Sequence, residues 1–254
     1  RSLGQPISNA AARLVDGTGG PPVLNLRPRP FSRSPLPASP RLLVRAARRP
    51  TTALAGLLPN GTISSDVIGE RITALYGDRP WPTRNLWICA VDLAHGDRVV
   101  FGRDVVDAPV GTAVQASSSI PGFFRPVDHA GRRFVDGGVH SPTNADLLAA
   151  RGHDIVVVVS PMSATRLAHG ALVPNARPMH ARRLANEVTQ LRRAGTLVLT
   201  FQPTPDVVAA MGRNAMDASR RVATTTAALA SARERLADPR VADRLEMLRA
   251  ASRG

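Results

Sequence analysis

The segment 117–146, which reads SSSIPGFFRPVDHAGRRFVDGGVHSPTNAD, constrains the fold of this chain more than any other. Within it, residues 132–135 read Arg-Arg-Phe-Val, and the apolar pair that ends this run predicts the end of a strand. Asp136 follows this strand directly. Gly137 and Gly138 come next and tolerate backbone angles that are closed to other residues, so the chain can turn sharply and approach a ligand. An Asp presented in this way is a candidate general base.

Strands and helices alternate along the chain from residue 64 onward. Apolar runs predict strands at 86–93, 99–101, 132–135, 155–159 and 197–201, and periodic patterns predict helices at 64–76, 109–119, 144–151, 178–194, 217–237 and 238–251. Ser65 is placed to cap the first of these helices. The run 155–159 is uninterrupted and β-branched, which is typical of a strand buried on both faces of a parallel sheet. The order of elements predicts a layered α/β fold with a mainly parallel central sheet.

Residues 1–50 differ in composition from the rest of the chain. They contain the end of a helix at 7–15, and eight prolines between 21 and 50 block helices and central strands. A short basic helical piece at 41–48 could be a lid, a membrane-facing flap or a linker. We therefore predict a helix end with a proline- and arginine-rich loop or cap at 1–50, and an α/β domain at 51–254.

The chain is strongly basic, with a net charge of +14, and all 33 of its basic residues are Arg. An arginine-only basic set beside abundant Ala, Val and Pro is typical of a GC-rich genome. The arginines are scattered, and only 4% of the residues are aromatic, which leaves little for base stacking. We therefore expect no nucleic-acid partner. Two interpretations of the basic charge remain open. Because Arg pairs bidentately with phosphate, the arginines could contact anionic lipid at a membrane surface, or they could simply be solvated surface charges.

The single cysteine, Cys89, lies in the apolar run 86–93. It cannot form an internal disulfide, and a lone thiol cannot build a metal site, so we expect a small core side chain there. We expect no metal and no cofactor. No apolar run approaches the roughly 20 residues that cross a bilayer. We expect a cytoplasmic or peripheral membrane location, with secretion left open because the chain does not begin with Met.

The ordered series SSSIPGFF, FVDGGV and SPTNAD resembles the second catalytic block of the patatin-like phospholipase family. The resemblance extends over roughly residues 54–229, and the first 50 residues match poorly. It implies a patatin-like α/β/α fold and a serine acyl-ester hydrolase that acts on phospholipid, lysophospholipid or another acyl ester through a Ser–Asp dyad. It assigns the Asp of that dyad to Asp136, on the turn formed by Gly137 and Gly138.

An ordinary carboxyl has a pKa near 4, which is too low for an ideal base at neutral pH, and desolvation in an apolar pocket would raise it. The apolar side chains that could supply such a pocket, or simply form part of the core, are Ile120, Phe123, Phe124, Phe134 and Val135. His140 follows the turn closely and could line the site or lie on a surface loop. The family's mechanism needs no histidine.

The family also carries a Gly-x-Ser-x-Gly nucleophile elbow and a glycine-rich oxyanion loop, and this sequence contains neither. Ser117, Ser118 and Ser119 lack the flanking glycines of an elbow, so we do not expect any of them to be the nucleophile. The first methionine is Met162. We therefore expect the first strand, the oxyanion loop and the nucleophilic serine upstream of Arg1 or on another polypeptide. A catalytically inactive lipid-binding pseudoenzyme, a split subunit and a basic membrane-surface protein remain alternatives, and the oligomeric state stays open.

Overall fold

The computed structural model describes residues 38–39, 58–77, 79–82, 85–164, 177–212 and 217–251. The predicted helix end at 7–15, most of the proline-rich stretch and the basic piece at 41–48 lie outside these ranges, so the predicted boundary at residue 50 stays a prediction. The described residues form two compact units, one up to Asn144 and the other from Ala145 onward.

The first unit combines two helices with a four-stranded antiparallel sheet of order β2-β1-β4-β3. Its elements are α1 (Asp66–Tyr76), β1 (Ile88–Asp92), β2 (Arg98–Phe101), α2 (Val110–Ser117), β3 (Val127–His129), β4 (Arg132–Asp136) and a 3-10 turn (Gly137–Val139). Two hairpins, β1–β2 and β3–β4, make up the sheet. In the second hairpin, Ala130 and Gly131 both have positive φ, at 48° and 72°, as a two-residue type I′ turn requires.

The described part of the second unit contains a parallel strand pair, four α-helices and short 3-10 turns. Its elements are a 3-10 turn (Ala145–Leu148), β5 (Ile155–Val159), α3 (Arg177–Arg193), β6 (Leu197–Phe201), α4 (Pro205–Met211), α5 (Arg221–Ala237) and α6 (Ala242–Ala251). β5 and β6 run parallel, with Ile155 opposite Leu197, and α3 lies between them in the chain as the crossover. Leu184, Val188 and Leu191 of α3 are buried in one cluster with valines of the strand pair.

The α/β class is confirmed, but apart from isolated single-residue bridges, parallel strand pairing among the described residues occurs between β5 and β6. Within each hairpin of the larger sheet the pairing is antiparallel because the short connection permits no crossover, and β1 and β4, which join the two hairpins, are also antiparallel. The expectation that 155–159 is buried on both faces is also wrong, since Val157 and Val159 are 45% and 68% exposed. The helix predicted at 144–151 is only the 3-10 turn at Ala145–Leu148.

In the first unit, helix α2 packs on the face of the sheet that carries Phe101 and Phe134. Ala113 and Ala116 of α2 are completely buried together with these two rings, which meet edge to face at 5.1 Å. The opposite face of the sheet buries Val91 and Val135. The end of α2 is thereby fixed next to the end of β4, where the candidate site lies. No helix in the described ranges is long and apolar enough to cross a membrane.

Candidate active site

Asp136 is the last residue of β4, as the sequence predicts. It lies opposite Ala90 of the central strand β1. Its backbone N–H donates a hydrogen bond to the carbonyl oxygen of Ser119 at 3.0 Å, in the loop that follows α2. The backbone of Asp136 is therefore held between two neighbours, a strand and a loop, before the chain leaves the sheet in the turn Gly137–Val139.

The turn requires glycine for a different reason from the one expected. Neither Gly137 nor Gly138 has a positive φ, so special backbone angles are not what selects them. A Cβ on Gly137 would instead lie 2.2 Å from the carbonyl oxygen of Cys89, on β1. A Cβ on Gly138 would meet only the Asp136 carboxylate, with Oδ1 at 3.0 Å. Glycine at 137 is what allows the turn to pack directly against the central strand.

The two carboxylate oxygens of Asp136 differ in their surroundings. Oδ1 accepts a hydrogen bond from the Gly138 N–H at 2.7 Å, while Oδ2 has no hydrogen-bond partner among the described residues. Burial raises the pKa of the half-buried Asp136 carboxyl above its usual value, and the Gly138 N–H opposes part of that rise. The structure thus orients the carboxylate through one oxygen, leaves the other available, and makes the group more basic than an exposed Asp.

The predicted lining residues do not all lie in one place. Phe134 is on the same face of β4 as Asp136, whereas Val135 points to the opposite face and packs with Val91. Ile120 directly follows Ser119 and is 45% exposed. Phe123 is half-buried, and its ring meets the buried ring of Phe124 edge to face at 4.8 Å; Phe124 also pairs with Ile63 through the backbone. A pocket formed by Ile120, Phe123 and Phe124 stays a prediction.

His140 and Cys89 touch the turn through their backbones. The His140 N–H donates to the Gly137 carbonyl at 3.0 Å and closes the turn, while its side chain is half-buried. Cys89 is likewise half-buried, so the expectation of a core side chain at this position is only partly confirmed. Among the described residues, no group of three His, Cys, Asp or Glu side chains is arranged to hold a metal ion.

Reasoning from the sequence missed a buried hydrogen-bond network beside Asp136. Ser65 does not cap α1 with its side chain; Ser64 Oγ accepts the Asp66 N–H at 3.0 Å instead. Ser65 Oγ lies 2.9 Å from Ser119 Oγ, and Gln115 also joins this group. The two serines are 54 residues apart in the sequence, so no local pattern could have predicted their contact.

A comparison with protein-family models bears on the family. The model described as Patatin-like phospholipase matches residues 25–149, slightly less than half of the chain. Over these residues the chain is similar to the patatin-like phospholipase family. The match includes Asp136 and its glycine turn. It begins before the predicted start of the resemblance at residue 54 and does not continue to 229, so the described second unit lies almost entirely outside the patatin-like segment.

Proposed function

We propose that this chain is the base-carrying part of a patatin-like serine acyl-ester hydrolase of lipids, with Asp136 as the base. The similarity to the patatin-like family supports a lipid-hydrolase type of function. The observation that carries the assignment of Asp136 is its carboxylate, in which Oδ1 is held by the Gly138 N–H and Oδ2 is available to a reacting group. A burial-raised pKa suits a base that must take up a proton near neutral pH.

In the proposed reaction, the nucleophile is a serine on a segment preceding residue 1 or on a partner chain. Asp136 Oδ2 accepts the proton of that hydroxyl as its oxygen attacks the acyl carbonyl carbon. The protonated carboxyl then gives the proton to the departing alcohol, and the acyl group stays on the serine. Asp136 next takes a proton from water as the water oxygen attacks the acyl carbon. The bond between the acyl carbon and the serine oxygen then breaks, Asp136 returns the proton to that oxygen, and the fatty acid leaves. Every proton transfer uses one carboxylate, so the proposal includes no metal and no cofactor.

The substrate side of the proposal is an acyl-ester lipid. The exposed Ile120 and the half-buried Phe123 lie in the loop whose Ser119 carbonyl binds Asp136, and they would contact the acyl chain. The arginine-rich composition would favour peripheral binding to anionic membranes. The alternative function is lipid binding without turnover, by a pseudoenzyme or a split subunit. It is favoured by the absence of Gly-x-Ser-x-Gly from this sequence.

The test uses the protein translated from the complete reading frame that encodes this chain. Its hydrolysis of p-nitrophenyl acyl esters and of phosphatidylglycerol or phosphatidylcholine vesicles is measured as a function of pH. We expect kcat/KM to fall as the pH is lowered through the raised pKa of Asp136, because only the ionised carboxylate accepts a proton. Salt-sensitive binding to phosphatidylglycerol vesicles without release of fatty acid would reject the hydrolase in favour of the lipid-binding alternative.

A further inference from the structure

Ser119 connects Asp136 to two helices of the first unit. Its carbonyl oxygen accepts the Asp136 N–H at 3.0 Å. Its hydroxyl lies 2.7 Å from the Gln115 carbonyl oxygen in α2 and 2.9 Å from Ser65 Oγ at the start of α1. The Ser119 side chain is completely buried, and Ser65 is 3% exposed. The residue that holds the backbone of the candidate base is thus itself held from both helices.

The direction of each hydrogen bond in this network follows from its chemistry. A carbonyl oxygen only accepts, so the single hydroxyl proton of Ser119 goes to the Gln115 carbonyl. Ser65 must then donate its own proton to Ser119 Oγ. Ser65 Oγ in turn accepts from the Gln115 side-chain amide at 3.3 Å, and the second proton of that amide goes to Asp66 Oδ1 at 2.8 Å. Each of these protons has a defined acceptor, so the network has one arrangement.

The two helices that carry the network are packed closely. A Cβ on Gly111 of α2 would lie 2.7 Å from the carbonyl oxygen of Gly69 in α1, so the helix backbones nearly touch at this crossing. Ser65 lies one turn before that crossing, and it uses its hydroxyl on Ser119 rather than on its own helix N-terminus. The network is therefore built on a rigid helix pair, which is what accurate placement of a reacting group requires.

We propose that Ser119 and Ser65 are positioning residues that fix the Asp136 carboxylate for proton transfer. Without the Ser119 hydroxyl, the loop after α2 is free to shift, and the carbonyl that holds the Asp136 N–H shifts with it. A displacement of about 1 Å at a catalytic group can lower the rate on the order of a hundredfold. The catalytic consequence rests on the proposed function, whereas the placement of Asp136 does not.

The first test does not depend on whether the protein hydrolyses esters. The Asp136 carboxyl is titrated by carbon-13 NMR in the complete protein and in its variants Ser119→Ala and Ser65→Ala. Burial is the main cause of the raised pKa of Asp136, so that pKa reports how well water is excluded from the carboxylate. We expect it to fall toward its ordinary value in both variants. Ser64→Ala is the matched control, because it removes the hydroxyl that accepts the Asp66 N–H and has no bond to Ser119.

The second test measures kcat and KM in the complete protein. We expect Ser119→Ala and Ser65→Ala to lower kcat about ten- to a hundredfold with KM within about twofold, and Ser64→Ala to change neither. A purely structural role would lower the melting temperature but leave the Asp136 pKa and kcat unchanged, and that result would overturn the proposal. If Ser119→Ala does not fold, the pKa and kcat of Ser65→Ala test the proposal instead, since this variant leaves the hydrogen bond from Ser119 to Gln115 in place. If the complete protein hydrolyses no ester, the proposed function fails and the NMR titration alone decides the positioning proposal.

Discussion

The substitution Gly137→Ala tests how the glycine turn is built. The new Cβ would lie 2.2 Å from the carbonyl oxygen of Cys89 and 2.7 Å from its carbonyl carbon. Both are backbone atoms of β1, which pairs with β2 on one side and with β4 on the other. Neither atom can move alone, so either the central strand or the turn must shift by about 1 Å to restore ordinary van der Waals contact.

The expected destabilisation follows from that shift. Overpacking a filled site typically costs about 1–3 kcal/mol. Loss of one or two ladder hydrogen bonds of β1 adds about 1 kcal/mol each. We therefore expect Gly137→Ala to lower the free energy of unfolding by about 2–5 kcal/mol, a large part of the roughly 5–15 kcal/mol typical of folded proteins.

The assay is urea unfolding followed by tryptophan fluorescence. The chain has two tryptophans, Trp81 and Trp87, and both lie in the unit that carries Asp136. Their emission therefore reports on that unit, and the midpoint and slope give its free energy of unfolding. Gly138→Ala is the matched control. Its Cβ would meet only the side-chain oxygen of Asp136, at 3.0 Å, so we expect a cost below about 1 kcal/mol. Equal midpoints for the two variants would refute the steric explanation.

Two further predictions concern the same unit. Gly111→Ala should lower the free energy of unfolding by about 1–3 kcal/mol in the same fluorescence assay, because its Cβ would lie 2.2 Å from Thr73 Oγ1 and 2.7 Å from the backbone oxygen of Gly69. An unchanged free energy of unfolding would contradict the account of the helix crossing. Asp136→Asn should raise the free energy of unfolding at pH 7, because folding raises the pKa of Asp136 and its ionisation therefore opposes folding. That gain should shrink as the pH is lowered through the folded pKa and vanish below the unfolded pKa of about 4, and a gain independent of pH would argue against burial as its cause.

The position of Asp136 was predictable because its cause is local. The apolar pair Phe134 and Val135 before Asp136 and the glycine pair after it indicate the end of a strand followed by a turn, and the structure has β4 ending at that residue. The long helix α3 and the strand β6 also agree with the predicted ranges, because their patterns are long or strongly apolar. The strand β3 has only three residues and gives no pattern of its own.

The remaining differences come from contacts between distant residues. Pairing direction depends on which strand lies alongside, so a run of apolar residues cannot tell the antiparallel β1 from the parallel β5. The steric need for Gly137 depends on Cys89, which is distant in the sequence, and the true role of Ser65 depends on Ser119. Local patterns therefore located the candidate base but could not identify the residues that hold it.

The most direct measurement of the central claim compares two Asp→Asn variants of the complete protein. Asp136→Asn removes the proposed base, while Asp128→Asn makes the same change at an exposed position of β3 in the same sheet. If Asp136 is the base, its variant should lose about a hundred- to ten-thousandfold in kcat/KM toward acyl esters and remain folded, because positioned general bases contribute on that order. Asp128→Asn should retain full activity. Wild-type activity in Asp136→Asn would contradict the assignment of Asp136 as the base.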